Sequence, residues 1–143
     1  MRAPFQVIVL PYYVTDGELK FLIGKRSDGG YWQAISGGGE DKEEPLEAAK
    51  RELYEEASLE GDHWIQLQSM CMLPKIYYIG HENWGNGTFV IPEYSFMVKA
   101  QPGEAVSAEH TELKWCSAIE AESLLAYDSN KIALWEATQR IHL

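Results

Sequence analysis

The segment from Gly37 to Leu59 constrains the fold of this chain more than any other. It reads GGGEDKEEPLEAAKRELYEEASL, a glycine run followed by a charged stretch that has apolar residues at helical spacing. We predict a helix that begins near Glu44, with Pro45 in its first turn, where a missing N–H costs nothing. Its buried stripe is predicted at Leu46, Ala49, Leu53 and Ala57. Such a helix needs an apolar surface to pack against.

Three glutamates, Glu52, Glu55 and Glu56, follow Arg51 on this helix. Glu52 and Glu56 are one turn apart on one face, which we predict to lie away from the buried stripe, and Glu55 is beside them. Like charges at this spacing destabilise an isolated helix by roughly 0.2–0.5 kcal/mol per pair. Either the carboxylates form a solvated acidic face, or they share a cation. A hard divalent ion such as Mg²⁺ or Mn²⁺ takes oxygen ligands of this kind.

The residues around the carboxylates favour the cation. Counted from Gly37, the segment has Gly, five residues, Glu, seven residues, Arg-Glu-Leu, one residue, Glu-Glu, one residue and Ser-Leu. This pattern resembles the Nudix box, the signature of hydrolases that cleave a nucleoside diphosphate linked to another group, and departs from it where Ser58 replaces a glycine. A left-handed serine would cost on the order of 1 kcal/mol, so we expect the helix to end between Ser58 and Gly61, with Gly61 as its terminator.

The order of the remaining elements indicates the fold class. Strands are predicted at 5–14, 19–26 and 31–35 before the helix, with a loop at the glycine run, and at 65–78 (broken near Pro74), 88–100 and 112–116 after it. Two further helices are predicted, one capped by Ser117 and one by Asp128-Ser129-Asn130. Strands followed by helices suit a sheet that is covered on both faces. The resemblance likewise implies an α/β fold, a Nudix-type α/β/α sandwich with a mixed β-sheet. The length of the chain fits one compact domain spanning residues 1–143.

Charge and composition restrict the possible partners. The chain has 143 residues and a net charge of −10, which disfavours nonspecific binding to nucleic acid or to an anionic membrane. A phosphorylated substrate would therefore need a bridging metal. The apolar run 5–10 is too short to span a membrane. Cys71 and Cys116, which we predict to be core residues, give no disulfide framework, so a reduced, cytoplasmic location is expected. The oligomeric state stays open.

The resemblance implies roles for the box residues. Glu52, Glu55 and Glu56 match the metal-ligand positions of the family, with Glu56 as a direct ligand and Glu52 as a ligand or base for Mg²⁺ or Mn²⁺. In the family, the glycine run often adds a metal contact, either from a backbone carbonyl near Ser36 or from a carboxylate. Glu40 is the candidate carboxylate here, and it could equally be a solvated loop residue. Arg51 is expected to hold Glu55 through a charge-assisted hydrogen bond. Glu43 is interpreted as structural, because the helix dipole favours a carboxylate there.

Outside the box, the chain resembles the dihydroneopterin triphosphate pyrophosphatase branch, also described as dATP pyrophosphohydrolases. The resemblance rests on Lys25-Arg26, Tyr31-Trp32-Gln33, Glu109-His110, Lys114-Trp115 and Ser129-Asn130. Members of this branch also carry a hydroxyl residue in place of the box glycine, so Ser58 supports the match. The branch makes Glu109 a candidate fourth carboxylate, as a metal ligand or general base. His110 is interpreted as a loop or packing residue.

Substrate contacts are predicted from charge and aromaticity. Lys25 and Arg26 are the candidate phosphate-binding cations, and the planar guanidinium of Arg26 suits phosphate better. The candidates for stacking on a purine or pterin ring are Trp32, Tyr77, Tyr78 and Trp84, the last within a loop rich in Asn and Gly. Trp115 and Trp135 are predicted to be core residues.

These assignments predict a metal-dependent Nudix pyrophosphohydrolase that converts a nucleoside or pterin triphosphate to the monophosphate and pyrophosphate. Two alternatives stay open. The same site could act on a dinucleoside polyphosphate, a nucleotide sugar or an oxidised nucleotide, or the chain could be a non-catalytic nucleotide-binding module. Such a module is expected to lose box carboxylates, whereas all three are present here.

Overall fold

In the computed structural model, which describes residues 1–102 and 111–142, seven strands form one mixed sheet with three α-helices. The strands are β1 (Arg2–Thr15), β2 (Glu18–Arg26), β3 (Trp32–Gln33), β4 (Ile35–Glu40), β5 (Asp62–Pro74), β6 (Val90–Lys99) and β7 (Thr111–Cys116). The helices are α1 (Pro45–Ala57), α2 (Ala118–Leu124) and α3 (Asp128–Ile141), and short 3₁₀ turns lie at Lys75–Tyr77 and His81–Trp84. No helix in these described residues is long and apolar enough to cross a membrane.

The long strand β1 organises the sheet. Along one edge it pairs antiparallel with β4 over residues 2–9 and then with β2 over residues 12–15. Along the other edge it pairs in parallel with β6, which places Gln6 beside Glu93. β5 continues the sheet beyond β6, and β3 and β7 pair with β2. β1 therefore connects the glycine-containing strand β4 with the polar residues of β6.

Two apolar cores lie on opposite faces of this sheet. Val7 and Val9 point into the core that α1 covers, while Ile8 and Leu10 point into the core that α2 and α3 cover. This alternation follows from the two-residue period of a strand. Each fully buried leucine or isoleucine in these cores contributes roughly 1.5–3 kcal/mol. The predicted α/β/α sandwich with a mixed sheet is confirmed.

The glycine run was predicted to be a loop, and that prediction is wrong. Gly37 and Gly38 belong to β4 and pair with Val7 and Gln6 of β1. Side chains from other elements occupy the space beside these glycines, since a Cβ at Gly37 would collide with the Glu52 carboxylate. Close approach to α1 and β1 therefore explains the glycines better than turn formation does.

Helix α1 begins as predicted and buries a different set of residues. Glu44 is the N-cap and forms a capping box with Glu47, and Pro45 opens the helix. Leu46 is 38% exposed, whereas Glu52 is only 8% exposed and Ala48 is fully buried. Glu52 follows Ala49 by three residues, so the two side chains point in directions about 60° apart around the helix axis. The buried stripe of α1 therefore includes Glu52. The prediction that Glu52 faces away from the core is wrong.

The C-terminal end of α1 also differs from the prediction. The helix ends at Ala57, and Ser58 itself adopts the left-handed conformation, with φ 57° and ψ 31°. Gly61 also has a positive φ, of 70°, but it lies beyond the cap. Leu59, which follows the turn at Ser58, is almost fully buried in the core that α1 covers.

Four predictions for the segments after α1 need correction. Ser117 caps α2 as expected by accepting a hydrogen bond from the Glu120 amide, but Tyr127 is the N-cap of α3 and Asn130 lies in its first turn. Trp135 is 65% exposed, and Trp115 is only partly buried, against the α1 core. Cys116 is buried as predicted, whereas Cys71 is partly exposed.

Candidate functional site

Arg51 is the centre of the carboxylate cluster on α1. Its Nε and Nη2 donate to the two oxygens of Glu43 at 2.8 and 3.0 Å, and Nη1 donates to Glu52 at 2.9 Å and to Glu55 at 3.1 Å. Nη2 also donates to the Gly38 carbonyl at 2.7 Å. The expected contact between Arg51 and Glu55 is present, and the guanidinium fork joins α1 to β4 as well.

Glu52 is the most buried member of the cluster. Its carboxylate lies against the backbone of Gly37, in a space that any side chain at that position would fill. Burial raises the pKa of Glu52 to about 7, the hydrogen bond from Arg51 opposes this shift, and the charges of Glu55 and Glu56 add to it. A cation placed beside this carboxylate would favour its charged form.

Glu43 has a structural role, in agreement with its interpretation from the sequence. The Arg51 hydrogen bond lowers the pKa of Glu43, and the Glu40 amide donates to the same carboxylate at 2.9 Å. Glu43 therefore holds both the end of β4 and the guanidinium. Glu40 is itself exposed, with its carboxylate 3.7 Å from Arg51 Nη1.

Glu56 lies on the side of α1 that faces a small cleft. The cleft is shared with Arg26 at the end of β2 and with Ser36 at the start of β4, and its other lining residues are Gly24, Gln33, Ala34 and Ile35. The structure thus brings together the predicted phosphate-binding arginine, the predicted metal-contact region at Ser36 and one box carboxylate. Arg26 is exposed and makes a 3.3 Å ion pair with Asp28.

The oxygen atoms gathered at this site are suitable ligands for a hard divalent cation. Carboxylates of Glu52, Glu55 and Glu56 together with backbone carbonyls of β4 are oxygen ligands of the type that Mg²⁺ takes. Within residues 1–102 and 111–142, no three His, Cys, Asp or Glu side chains are already grouped around one metal position. Since Arg51 holds both Glu52 and Glu55, a bound metal would share these carboxylates with the guanidinium.

A cavity of about 600 Å³ opens on the α3 side of the sheet. Gln33 and Ser36 line both this cavity and the Glu56 cleft, so the two spaces meet at the start of β4. The remaining lining residues are Gln6, Ile8, Leu73, Tyr77, Tyr78, Glu93, Tyr127, Ser129 and Asn130. Its volume and its mixture of aromatic and polar groups fit a flat heterocycle.

The predicted aromatic contacts are distributed unevenly around the cavity. Tyr77 and Tyr78 line it, while Lys25 Nζ lies 5.9 Å above the Trp32 ring at the neighbouring β2–β3 pair. Trp84 donates its indole N–H to the Arg2 carbonyl at 2.8 Å. That bond ties the second 3₁₀ turn to β1, and a substrate contact by Trp84 stays a prediction. Glu109 and His110 lie outside the described residues.

Sequence reasoning missed several residues of this region. Gln6, Glu93, Tyr127 and the first turn of α3 were not singled out as cavity residues, although Ser129-Asn130 was noted for its resemblance. The Asn130 side chain accepts a hydrogen bond from the Ala34 amide at 2.8 Å, which fixes α3 beside β4. A signal existed for Glu93, because a carboxylate interrupts the mostly apolar run VIPEYSFMV.

Comparisons with known proteins show the family of this chain. The sequence model of the NUDIX domain matches residues 4–136. A protein of Listeria monocytogenes classed as a NUDIX hydrolase shares 38% identity with a TM-score of 0.83, over 98% of this chain and 95% of its own. The dihydroneopterin triphosphate pyrophosphohydrolase of E. coli shares 25% identity with a TM-score of 0.69, over 93% of each chain.

More distant structures share the fold. The Ap4A hydrolase of C. elegans has 20% identity and a TM-score of 0.70, over 98% of each chain. Among curated proteins, no sequence matches this chain.

Proposed function

The chain belongs to the Nudix hydrolase family and is a Nudix pyrophosphohydrolase, and from this premise we propose that its substrate is a nucleoside or pterin triphosphate, cleaved to the monophosphate and pyrophosphate. The observation that carries the proposal is the junction at Ser36. There the cleft that contains Glu56 and Arg26 meets a cavity large enough for a purine or pterin ring. The heterocycle and the phosphates of one substrate fit these two connected spaces.

The similarity to the E. coli pyrophosphohydrolase supports a pterin or purine triphosphate. Its identity of 25% carries less weight than the chemistry of the cavity itself, since Nudix relatives with the same fold include an Ap4A hydrolase. Dinucleoside polyphosphates therefore belong in the substrate panel as the alternative.

Nudix hydrolases generally use divalent metal ions, and we propose Mg²⁺ or Mn²⁺ for this chain. Glu52, Glu55 and Glu56 would hold the ion, with the backbone near Ser36 as a further oxygen donor. When bound, the metal supplies charge neutralisation at the phosphates and activates water near neutral pH. Glu109 stays a candidate for an added ligand or general base.

The chain's own residues have separable tasks in this proposal. Arg51 holds Glu52 and Glu55 through Nη1, while Glu43, between β4 and α1, holds Arg51 by accepting from Nε and Nη2. We assign the phosphate oxygens to Arg26, because it lines the same cleft as Glu56. Lys25 and Trp32 flank that position, and the ring is assigned to Tyr77 and Tyr78 because they line the cavity.

The test is pyrophosphate release with Mg²⁺ from a panel of triphosphates and dinucleoside polyphosphates, for the wild type and Glu56→Gln. We expect turnover of at least one purine or pterin triphosphate, and a loss of at least about 100-fold in Glu56→Gln with an unchanged unfolding transition. The exposed Glu122 on α2, replaced by Gln, is the matched control and should retain full activity. Turnover of dinucleoside polyphosphates alone would replace the triphosphate proposal.

A further inference from the structure

A buried carboxylate forms part of the cavity wall opposite the α1 carboxylates. Glu93 of β6 is 8% exposed and lines the cavity together with Gln6, Tyr78 and Ser129. We propose that Glu93 selects the substrate by accepting two parallel N–H groups from a 2-amino-4-oxopyrimidine ring, the ring that guanine and pterins share. The inference rests on the proposed function, because it names the ring that this same site prefers.

The Glu93 carboxylate has an unused hydrogen-bonding capacity. In the described part of the chain, its Oε1 is buried and accepts no hydrogen bond. Ser129 donates to the carboxylate, and the Ser129 oxygen in turn accepts from Asn130 Nδ2 at 3.2 Å. Leaving a buried acceptor unpaired is unfavourable, more so for a charged group, so a ligand that supplies donors relieves this cost on binding.

Two of the amide oxygens in the cavity lining already have donors. Asn130 Oδ1 accepts from the Ala34 amide, and Gln6 Oε1 accepts from the Arg2 guanidinium. Glu93 is also the one carboxylate among the cavity-lining residues that the structure describes. It is therefore the group on this wall that is both charged and available to a ligand.

The charge on this wall sets the direction in which a triphosphate can lie. A phosphate next to Glu93 would be a buried like-charge contact, which is strongly unfavourable. Arg26 and the metal-binding candidates lie at the other end, beyond Ser36. The uncharged heterocycle is thus the part of the substrate that reaches Glu93.

The geometry of a carboxylate then distinguishes among heterocycles. Its two oxygens match two parallel donors, and the soft terminal torsion of glutamate allows both oxygens to face the ring. The N1–H and the 2-amino group of guanine, and the equivalent pair of a pterin, supply these two donors. Adenine supplies one amino group flanked by acceptor nitrogens, which would face the carboxylate unfavourably.

The experiment compares kcat/KM for dGTP, 7,8-dihydroneopterin triphosphate and dATP in the wild type, Glu93→Gln and the exposed control Glu122→Gln. The wild type is expected to prefer the first two substrates. Glu93→Gln should lower kcat/KM for both by about 10- to 100-fold, mainly through KM, and change the value for dATP by less than about 3-fold. Whichever of the first two reacts faster identifies the source of the ring.

Binding of dGMP and dAMP without metal is measured in parallel. A preference for dGMP that Glu93→Gln abolishes supports the assignment even if no triphosphate is hydrolysed, so the two proposals fail separately. Burial raises the pKa of Glu93, so removing its charge should leave the unfolding free energy at pH 7.5 no lower than in the wild type. A wild-type preference for dATP, or an equal loss for all three substrates, would overturn the assignment.

Discussion

Replacing Ser58 by glycine should stabilise the protein by about 0.5–1 kcal/mol. Ser58 terminates α1 with φ 57°, in the left-handed region. For a residue with a Cβ this conformation costs roughly 1–2 kcal/mol. Glycine removes that cost but gives back roughly 0.4–1 kcal/mol because the unfolded chain becomes more flexible. The difference predicts a small net gain, since the helix cap and the buried Leu59 that follows it need no rearrangement.

Urea unfolding at fixed pH and ionic strength is the assay, with the activity of each variant measured alongside. With a slope of about 2 kcal/mol per M, the midpoint of Ser58→Gly should rise by about 0.25–0.5 M at an unchanged slope. Ser58→Ala is the matched control, because alanine keeps the Cβ and the strain. Turnover should be unaffected in both variants. If Ser58→Gly is no more stable than Ser58→Ala, strain at this position is not a term in the stability of the fold.

Two further substitutions test the architecture of the site. Gly37→Ala should lower the free energy of unfolding by about 1–3 kcal/mol and reduce kcat at least 10-fold, because the added Cβ overlaps the Glu52 carboxylate. Gly87→Ala is the control, because a Cβ at Gly87 meets no atom within 4 Å. Equal behaviour of the two variants would exclude close packing at Gly37. Trp84→Phe should lower the unfolding free energy by about 1 kcal/mol, since an aromatic ring remains and the hydrogen bond to Arg2 is lost. A raised KM at unchanged stability would instead identify Trp84 as a substrate contact.

Local chemistry explains which parts of the fold could be predicted. The start of α1 follows from Glu44, Pro45 and Glu47, all within one turn, so the sequence alone identifies it. The strand at Gly37–Gly39 could not be predicted in this way, because glycine is depleted in strands. Pairing with β1 imposes its extended conformation. The Glu52 carboxylate and the Phe5 ring fill the space that side chains at Gly37 and Gly39 would need, so only glycine fits there.

The same division holds for the site. Arg51 and Glu55 are four residues apart on one helix, so their contact was predictable from spacing. The burial of Glu52 depended on where the helix packs, and the wrong choice of Leu46 as a core residue moved the predicted stripe away from it. Glu93 lies beside Gln6 only because β1 and β6 pair in parallel across 87 positions of sequence separation, a tertiary contact that no local pattern encodes.

Hydration distinguishes the two acidic ends of the site and determines what each can bind. The Glu55 side chain is 53% exposed, so the α1 end can accept a cation that keeps part of its water shell, as Mg²⁺ does. Glu93 is enclosed by β6, Tyr78 and the first turn of α3, where a hydrated ion would have to lose its water. A neutral ring with N–H donors needs no such dehydration of a charge. The two ends meet at Ser36. A triphosphate that places its phosphates at the hydrated cation and its ring at the buried carboxylate can therefore bind in only one orientation.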